Sequence, residues 1–323
     1  MARLTMEAAD ALLPQQPTKA PKDARRLKYL VIGPPKWGKT SFGCDAEDAV
    51  LFATEEGHLF HETYKIIIDS WDNRQGPGTD DDGNLHLAMT EAVEAIVASS
   101  RFQMVIIDTA DMAAKMCLDH YYKKLGVQHA QDAGDYGKGW DICLTQPFRQ
   151  QISQILKSGR GVMFITHTNL VTKKVGNVEQ SRWETSLPSQ VQKFLHTQAD
   201  VILHGSFGKL RPGMKDRDRI ISLDGTNEVL AGSRIRGLTL PKKYIVDPEH
   251  PWAQWASFFI DENAAKNAED YFLAAMGVSR EKGRDEKVAA EPQHKTISEP
   301  VETESEPEPE VPAPARKSTS KRR

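Results

Sequence analysis

Residues 33–41 read Gly-Pro-Pro-Lys-Trp-Gly-Lys-Thr-Ser, and within them G-x-x-x-x-G-K-T has the spacing of a phosphate-binding loop. Gly33 and Gly38 carry no Cβ, so the backbone can bend tightly and approach an oxyanion. Inward-turned amides and the start of the next helix then favour negative charge at the same point. Lys39 is placed to reach the β- and γ-phosphates of a nucleoside triphosphate, and the Thr40 hydroxyl to ligate Mg2+. Pro34 and Pro35 stiffen the loop and remove two donors, so the cradle should rely on amides from Lys36 through Ser41. Lys36 and Trp37 occupy the crown, where they either pack on a neighbouring copy or sit over the nucleotide.

Other reactive side chains follow apolar runs. Val105-Ile106-Ile107 ends in Asp108, a carboxylate suited to the Mg2+ shell opposite Thr40. Glu55 and Glu56 follow the apolar run 49–53. Hydrolysis needs a group that orients water; Glu55 is read in that role with Glu56 as the alternate, and two exposed loop glutamates are the plainer possibility. Phe164-Ile165-Thr166 leads to His167, whose ring can feel a γ-phosphate and report it to the segment that follows. An ordinary hydrogen-bonded histidine is the alternative there.

That following segment, 168–189, is polar and carries Lys173, Lys174, Arg182 and Trp183. It reads as a long loop, and loops of that length are usually functional or disordered. Lysines for phosphates and an aromatic for base stacking suit single-stranded nucleic acid. Residues 120–124 and 136–140, with Lys138, repeat the mixture of aromatics and lysines, although Tyr121, Tyr122 and Trp140 serve packing equally well. Arg234 and Arg236, two apart on an extended segment, point the same way. They are either exposed strand residues or a pair of fingers for a neighbouring subunit's γ-phosphate.

The elements that must position these residues alternate. Apolar runs at 29–32, 49–53, 65–68, 104–108, 161–166, 201–204 and 219–223 read as strands, with helical patterns at 39–44, 85–99 and 146–158. Alternation of this kind gives an α/β fold, a mostly parallel sheet flanked by helices. Ligands of such folds bind at the carboxyl ends of the strands, where every residue singled out above is expected to fall. Asp80-Asp81-Asp82-Gly83 lacks the alternating ligands and distal Glu of a calcium loop and reads as a solvated turn.

Bulk properties narrow the class. The chain has 323 residues, 39% hydrophobic, and a net charge of −3. That balance neither requires a nucleic-acid partner nor excludes a local basic surface. Three cysteines without metal-ligand spacing point to a reducing compartment. No apolar run approaches membrane-spanning length and the start has no leader-like apolar region, so a cytoplasmic protein without a membrane partner is expected. The domain reading is an extension and Pro-containing linker over 1–24, the core over 25–250, a helical cap over 251–279 and a tail over 280–323. The tail holds six glutamates within 299–310 and a basic end. Its composition predicts disorder and suits recruitment of a protein partner.

The order of parts from Tyr29 to Pro241 resembles RecA-like ATPases. It is most similar to compact phage-encoded ones, the Sak-type single-strand annealing and RecA-core recombination proteins among P-loop AAA ATP-binding proteins. Phe52-Ala53-Thr54-Glu55 matches the slot of that family's catalytic glutamate, which favours Glu55, and Asp108 matches its magnesium-binding aspartate. The first DNA loop would be about 121–140 and the second about 169–189. His167 stands where the family has a switch glutamine, a departure that brings in a titratable ring. Arg234-Ile235-Arg236 resembles the family's trans-acting Lys-x-Lys, with arginine supplying fixed charge and forked donors. The resemblance implies a RecA-like P-loop core, ATP with Mg2+ as ligands, single-stranded DNA as partner, and self-association into a ring or filament. It implies a DNA-stimulated ATPase of phage recombination or annealing. A hexameric helicase or DNA motor, or a nucleotide-switched binding module, are the alternatives.

Overall fold

Tyr29, Leu30, Val31 and Ile32 have no exposed surface, because the strand they form is covered on both faces. The computed structural model describes residues 23–278 apart from 73–75, 176–177, 212 and 214, and also residues 11, 13, 14 and 16. The tail and most of the N-terminal extension lie outside the described residues.

In chain order the elements are β1 (Lys28–Gly33), α1 (Lys39–Cys44), β2 (Ala49–Ala53), β3 (Lys65–Ser70), β4 (Gly78–Thr79), β5 (Leu85–Ala88), α2 (Met89–Ala98), β6 (Met104–Asp108), α3 (Ala110–Leu125), α4 (Gln146–Lys157), β7 (Gly161–Val175), β8 (Val178–Thr185), α5 (Ser189–Gln198), β9 (Val201–Phe207), β10 (Arg219–Ser222), β11 (Gly232–Ser233), β12 (Lys243–Ile245), α6 (Pro251–Ser257) and α7 (Glu262–Ala275). The sheet runs β12-β10-β9-β1-β7-β6-β2-β3-β5-β4. From β9 across to β5 every neighbouring pair is parallel. One strand, β7, separates β1 from β6, so Gly33 and Asp108 end neighbours of the same strand. This is the α/β arrangement expected from the sequence, a mostly parallel sheet flanked by helices with a P-loop after β1.

Alternate residues feed two cores. Leu30, Ile32, Val105, Ile107 and Phe164 pack on one face with α2, α4 and α5. Tyr29, Val31, Ile106, Met163 and Ile165 pack on the other, with α1 and the aromatics of α6. Residues read as a cap therefore belong to the second core, where Trp252 and Trp255 meet Tyr29 edge-on.

Two readings need correction. The segment 168–189 is not an unstructured loop: β7 runs on past the sheet and returns as β8, an eight-pair antiparallel ribbon from Thr168↔Thr185 to Val175↔Val178. The segment 121–140 is a connection only over 126–137 and helical at both ends. Tyr121 and Tyr122 lie in α3, Tyr122 Oη accepts from Ala130 N at 3.0 Å, and a helical turn at Lys138–Trp140 leads toward α4. The acidic turn at 80–84 is closed by Asp80, which accepts from the amides of Asp82 and Asn84, as a solvated turn should be.

Candidate active site

The P-loop joins β1 to α1 at the carboxyl edge of the sheet. Gly38 adopts φ +100°, a conformation that glycine takes without strain, and its carbonyl starts α1 by accepting from Phe42 N at 2.9 Å. Pro35 and Lys36 are exposed at the crown, whereas Trp37 is buried. The Trp37 side chain neither faces outward nor overhangs the loop. It turns inward, donates from Nε1 to the Ser206 carbonyl at 2.9 Å, and lies against Gly205 of β9. The expectation of a Trp37 side chain on the nucleotide or a neighbour is overturned, because the indole is buried behind the loop and bonded to β9.

Lys39 is almost wholly buried, and its ammonium lies across the loop. It donates to the carbonyls of Gly33 at 2.9 Å and Pro34 at 3.0 Å and meets His167 Nδ1 at 3.2 Å. An ammonium has only donors, so Nδ1 must be the accepting nitrogen and Nε2 must carry the proton. Nε2 faces Glu55 Oε2 at 3.7 Å. That is too long for a formed hydrogen bond, so the firmer hold on Glu55 is the Thr109 hydroxyl, which donates to Oε1 at 2.7 Å. Within α1's first turn, Thr40 Oγ1 donates to Asp108 Oδ2 at 2.6 Å.

Burial and charge act in opposite senses here. Burial lowers the Lys39 pKa against the pull of the Asp108 charge. Burial raises the Asp108 pKa, against the Thr40 hydrogen bond. The nearby His167 imidazole, and then Thr109, hold the Glu55 carboxyl below its ordinary value despite partial burial. Thr40 and Asp108 fit a hard cation: both offer oxygen, they already touch, and a buried carboxylate gains from a positive neighbour.

Lys39, Thr40, Glu55, Asp108 and His167 thus converge, with Ser41 one residue along α1. Glu56 is exposed and starts the short 3-10 turn Glu56–Phe60, away from these contacts. Asp111 escaped the sequence reading. Its carboxylate accepts from Thr166 Oγ1 at 2.9 Å, from His167 N at 3.1 Å and from Ser186 Oγ. Ser186 N also donates to His167 O at 3.0 Å. His167 is therefore the root of the ribbon, and Asp111 ties both of its strands together there. The one available signal was an acid three residues after Asp108.

The remaining residues lie elsewhere. Lys173 and Lys174 pair with Gln180 and Glu179 in the ribbon. Arg182 is half-buried, with its Nε shielded and without a hydrogen bond among the described residues. Lys138 is exposed on its helical turn. Arg234 and Arg236 are exposed at the opposite edge of the sheet, next to the start of β9, where Arg234 N donates to Asp200 O at 2.9 Å. They line a cleft of about 500 Å³ with Arg26, Lys28, Arg160 and Asp200. The length of β1, roughly 17 Å at ~3.3 Å per residue, separates that cleft from the P-loop.

A P-loop closing on Thr40 and Asp108 across one intervening strand is a nucleotide site, and residues 25–235 match the model of a family described as AAA domain. The chain belongs to the AAA domain family. The AAA domain spans well over half of the chain and includes every converging residue above. No curated protein sequence matches the chain significantly. Among solved structures it is similar to a KaiC-like protein, PH0186, from the hyperthermophilic archaeon Pyrococcus horikoshii OT3, with 12% identity and a TM-score of 0.36 over 69% of this chain and 86% of that one. Among the described residues, no helix is long and apolar enough to cross a membrane.

Proposed function

We propose that this P-loop ATPase domain hydrolyses ATP and couples the reaction to single-stranded DNA held by the β7–β8 ribbon, in recombination or strand annealing of the phage type. The observation that carries the reading is the double role of His167. Its ring sits between Lys39 and Glu55, and its backbone begins the ribbon that Asp111 and Ser186 fasten.

In this reading loop amides from Lys36 onward cradle the phosphates, and Lys39 exchanges its two carbonyl partners for phosphate oxygens. Thr40 and Asp108 would hold Mg2+, which supplies positive charge against the phosphates when bound. The Glu55 carboxylate, ionised at neutral pH, accepts the proton of the water that attacks the γ-phosphorus. Thr109 fixes the other Glu55 oxygen, so the base has one orientation. When Lys39 turns to phosphate, His167 Nδ1 loses its donor, and the imidazole must find a new partner. Any movement of the ring is passed to the ribbon through the His167 backbone.

Arg234 and Arg236 stand too far from their own P-loop to act on it, so their proposed partner is the nucleotide of a neighbouring copy in a ring or filament. That same observation favours a second reading, a closed-ring motor that unwinds or moves DNA, distinguished by electron microscopy of the assembly with ATP and DNA. The deciding experiment for the main reading is ATP turnover with and without single-stranded DNA. The expected result is several-fold stimulation in the wild type and loss of turnover in Glu55→Gln. Turnover indifferent to DNA, together with no shift of single-stranded DNA in a gel, would remove the DNA assignment.

A further inference from the structure

The end of β9 forms a fixed wall behind the P-loop. Trp37 is bonded to Ser206, and a Cβ on Gly205 would lie 2.7 Å from the indole ring. A Cβ on Gly33 would lie 3.6 Å from Gly205 Cα. β9 cannot slide against the loop without opening this packing. β10 pairs with β9 so that Arg219 stands opposite Phe207. The Arg219 carbonyl is held by Val246 N at 2.8 Å. A strand residue, not a surface-loop residue, is therefore delivered to the phosphate edge.

The Arg219 guanidinium lies on Gly38. A Cβ at Gly38 would sit 2.5 Å from Arg219 Nη1 and 3.2 Å from its Cζ. The adjacent acid, Asp218, is engaged by Arg211 at 2.7 Å. Among the described residues the guanidinium has neither a hydrogen bond nor an ion pair. An arginine fork without a carboxylate, pressed on the second glycine of a phosphate loop, fits an anion with two oxygens to offer.

Its position selects which phosphates. β7 and β9 flank β1 on opposite sides. Lys39 leans toward the β7 side, where His167 and Glu55 mark the transferred phosphate. Arg219 enters from the β9 side. We propose that Arg219 binds the α- and β-phosphates of the nucleotide held by its own P-loop, opposite the hydrolytic flank. The proposal rests on the nucleotide-site reading above and adds a ligand to it. It implies that Arg219 grips the nucleotide before and after hydrolysis alike, whereas Lys39 and His167 respond to the γ-phosphate.

The test is calorimetric binding of ADP and of a non-hydrolysable ATP analogue to the full chain. Wild type is compared with Arg219→Ala, Arg219→Lys and the exposed neighbour control Arg217→Ala, each first checked for an unchanged thermal melt. Loss of a charge-assisted contact predicts a Kd raised roughly tenfold for both nucleotides by the same factor in Arg219→Ala. Partial recovery is expected in Arg219→Lys, which also stands in if the alanine variant melts early, and no change in Arg217→Ala. Unchanged affinities in both Arg219 variants, with binding lost in Lys39→Ala, overturn this proposal and leave the nucleotide site standing. A loss confined to the ATP analogue overturns the α- and β-phosphate assignment. A wild-type chain that binds neither nucleotide overturns both readings together.

Discussion

The two edges of the sheet are built on different electrostatic principles. At the carboxyl edge Lys39 has three partners, Glu55 has two neighbours that favour its charge, and Thr40 and Asp108 hold each other. At the amino edge Arg26, Lys28, Arg160, Arg234 and Arg236 line one cleft with a single acid, Asp200. Asp200 spends one carboxylate oxygen on the Lys28 amide at 3.0 Å, and the Arg234 guanidinium donates to the His196 carbonyl at 3.1 Å. The first edge is balanced within one chain. The second carries surplus positive charge, which is stabilised by an anion brought from outside. The proposal that a catalytic site is shared between copies rests on this contrast between an edge rich in phosphate-binding groups and an edge with surplus cations.

The largest expected effect comes from the unbalanced edge. Arg234→Ala with Arg236→Ala should lower ATP turnover by about 10³-fold, the scale of a lost arginine finger, while nucleotide affinity in calorimetry stays near wild type. Full turnover in the double variant would break the contrast, leaving the cleft a surface feature.

Next in size is Glu55→Gln, which should lower turnover by about 10²-fold with ATP still bound. A comparable loss in Glu56→Gln and none in Glu55→Gln would move the base out of the converging set. The pH dependence has a defined sign. The lowered Glu55 pKa means that the folded state gains from the ionised form. That gain is present above the ordinary glutamate value of about 4.3 and fades as pH falls through the lower folded-state value. Urea midpoints of wild type and Glu55→Gln measured from pH 7 downward should converge only below about pH 4.3. Convergence already near neutrality would contradict the assignment.

Smaller again is Asp111→Ala. It leaves two hydroxyls and one amide without their acceptor, at a cost of about 1–3 kcal/mol in urea unfolding. The same variant should keep DNA binding but lose DNA stimulation, because the ribbon is no longer fastened at His167. Undiminished stimulation would show that coupling bypasses this carboxylate. The smallest effect on turnover is expected for Gly205→Ala, which touches none of the converging residues; overpacking against Trp37 should cost roughly 1–3 kcal/mol of stability. An unchanged melt would mean that the wall behind the P-loop yields more easily than its packing suggests.

Local chemistry at strand ends was legible from the chain alone. The P-loop announces itself by spacing, Asp108 by the apolar run before it, and Glu55 and His167 by following two further buried strands. What could not be read depended on distant residues. Trp37 turns inward because Gly205 leaves room for it, and nothing near Trp37 says so. The ribbon at 168–185 hid because its strands project beyond the core. Thr172, Lys173 and Lys174, facing Ser181, Gln180 and Glu179, lack the apolar alternation that marks a half-buried strand. Asp111 gathers three donors from β7 and from the residue after β8, so its role emerges only when the strands are assembled. The arginine pair was found as a pattern, but that it stands at the far edge follows from its pairing beside Asp200.

Mixed assemblies test the split site most directly. Lys39→Ala subunits lack a working P-loop but keep their arginines, and Arg234→Ala/Arg236→Ala subunits have the reverse defect. Each is expected to be inactive alone. Mixed in equal amounts with single-stranded DNA, they should regain a measurable fraction of wild-type ATP turnover, because some interfaces then join an intact P-loop to intact arginines. Turnover that stays at the level of the separate variants across all mixing ratios, with co-assembly demonstrated, would contradict a catalytic site shared between copies.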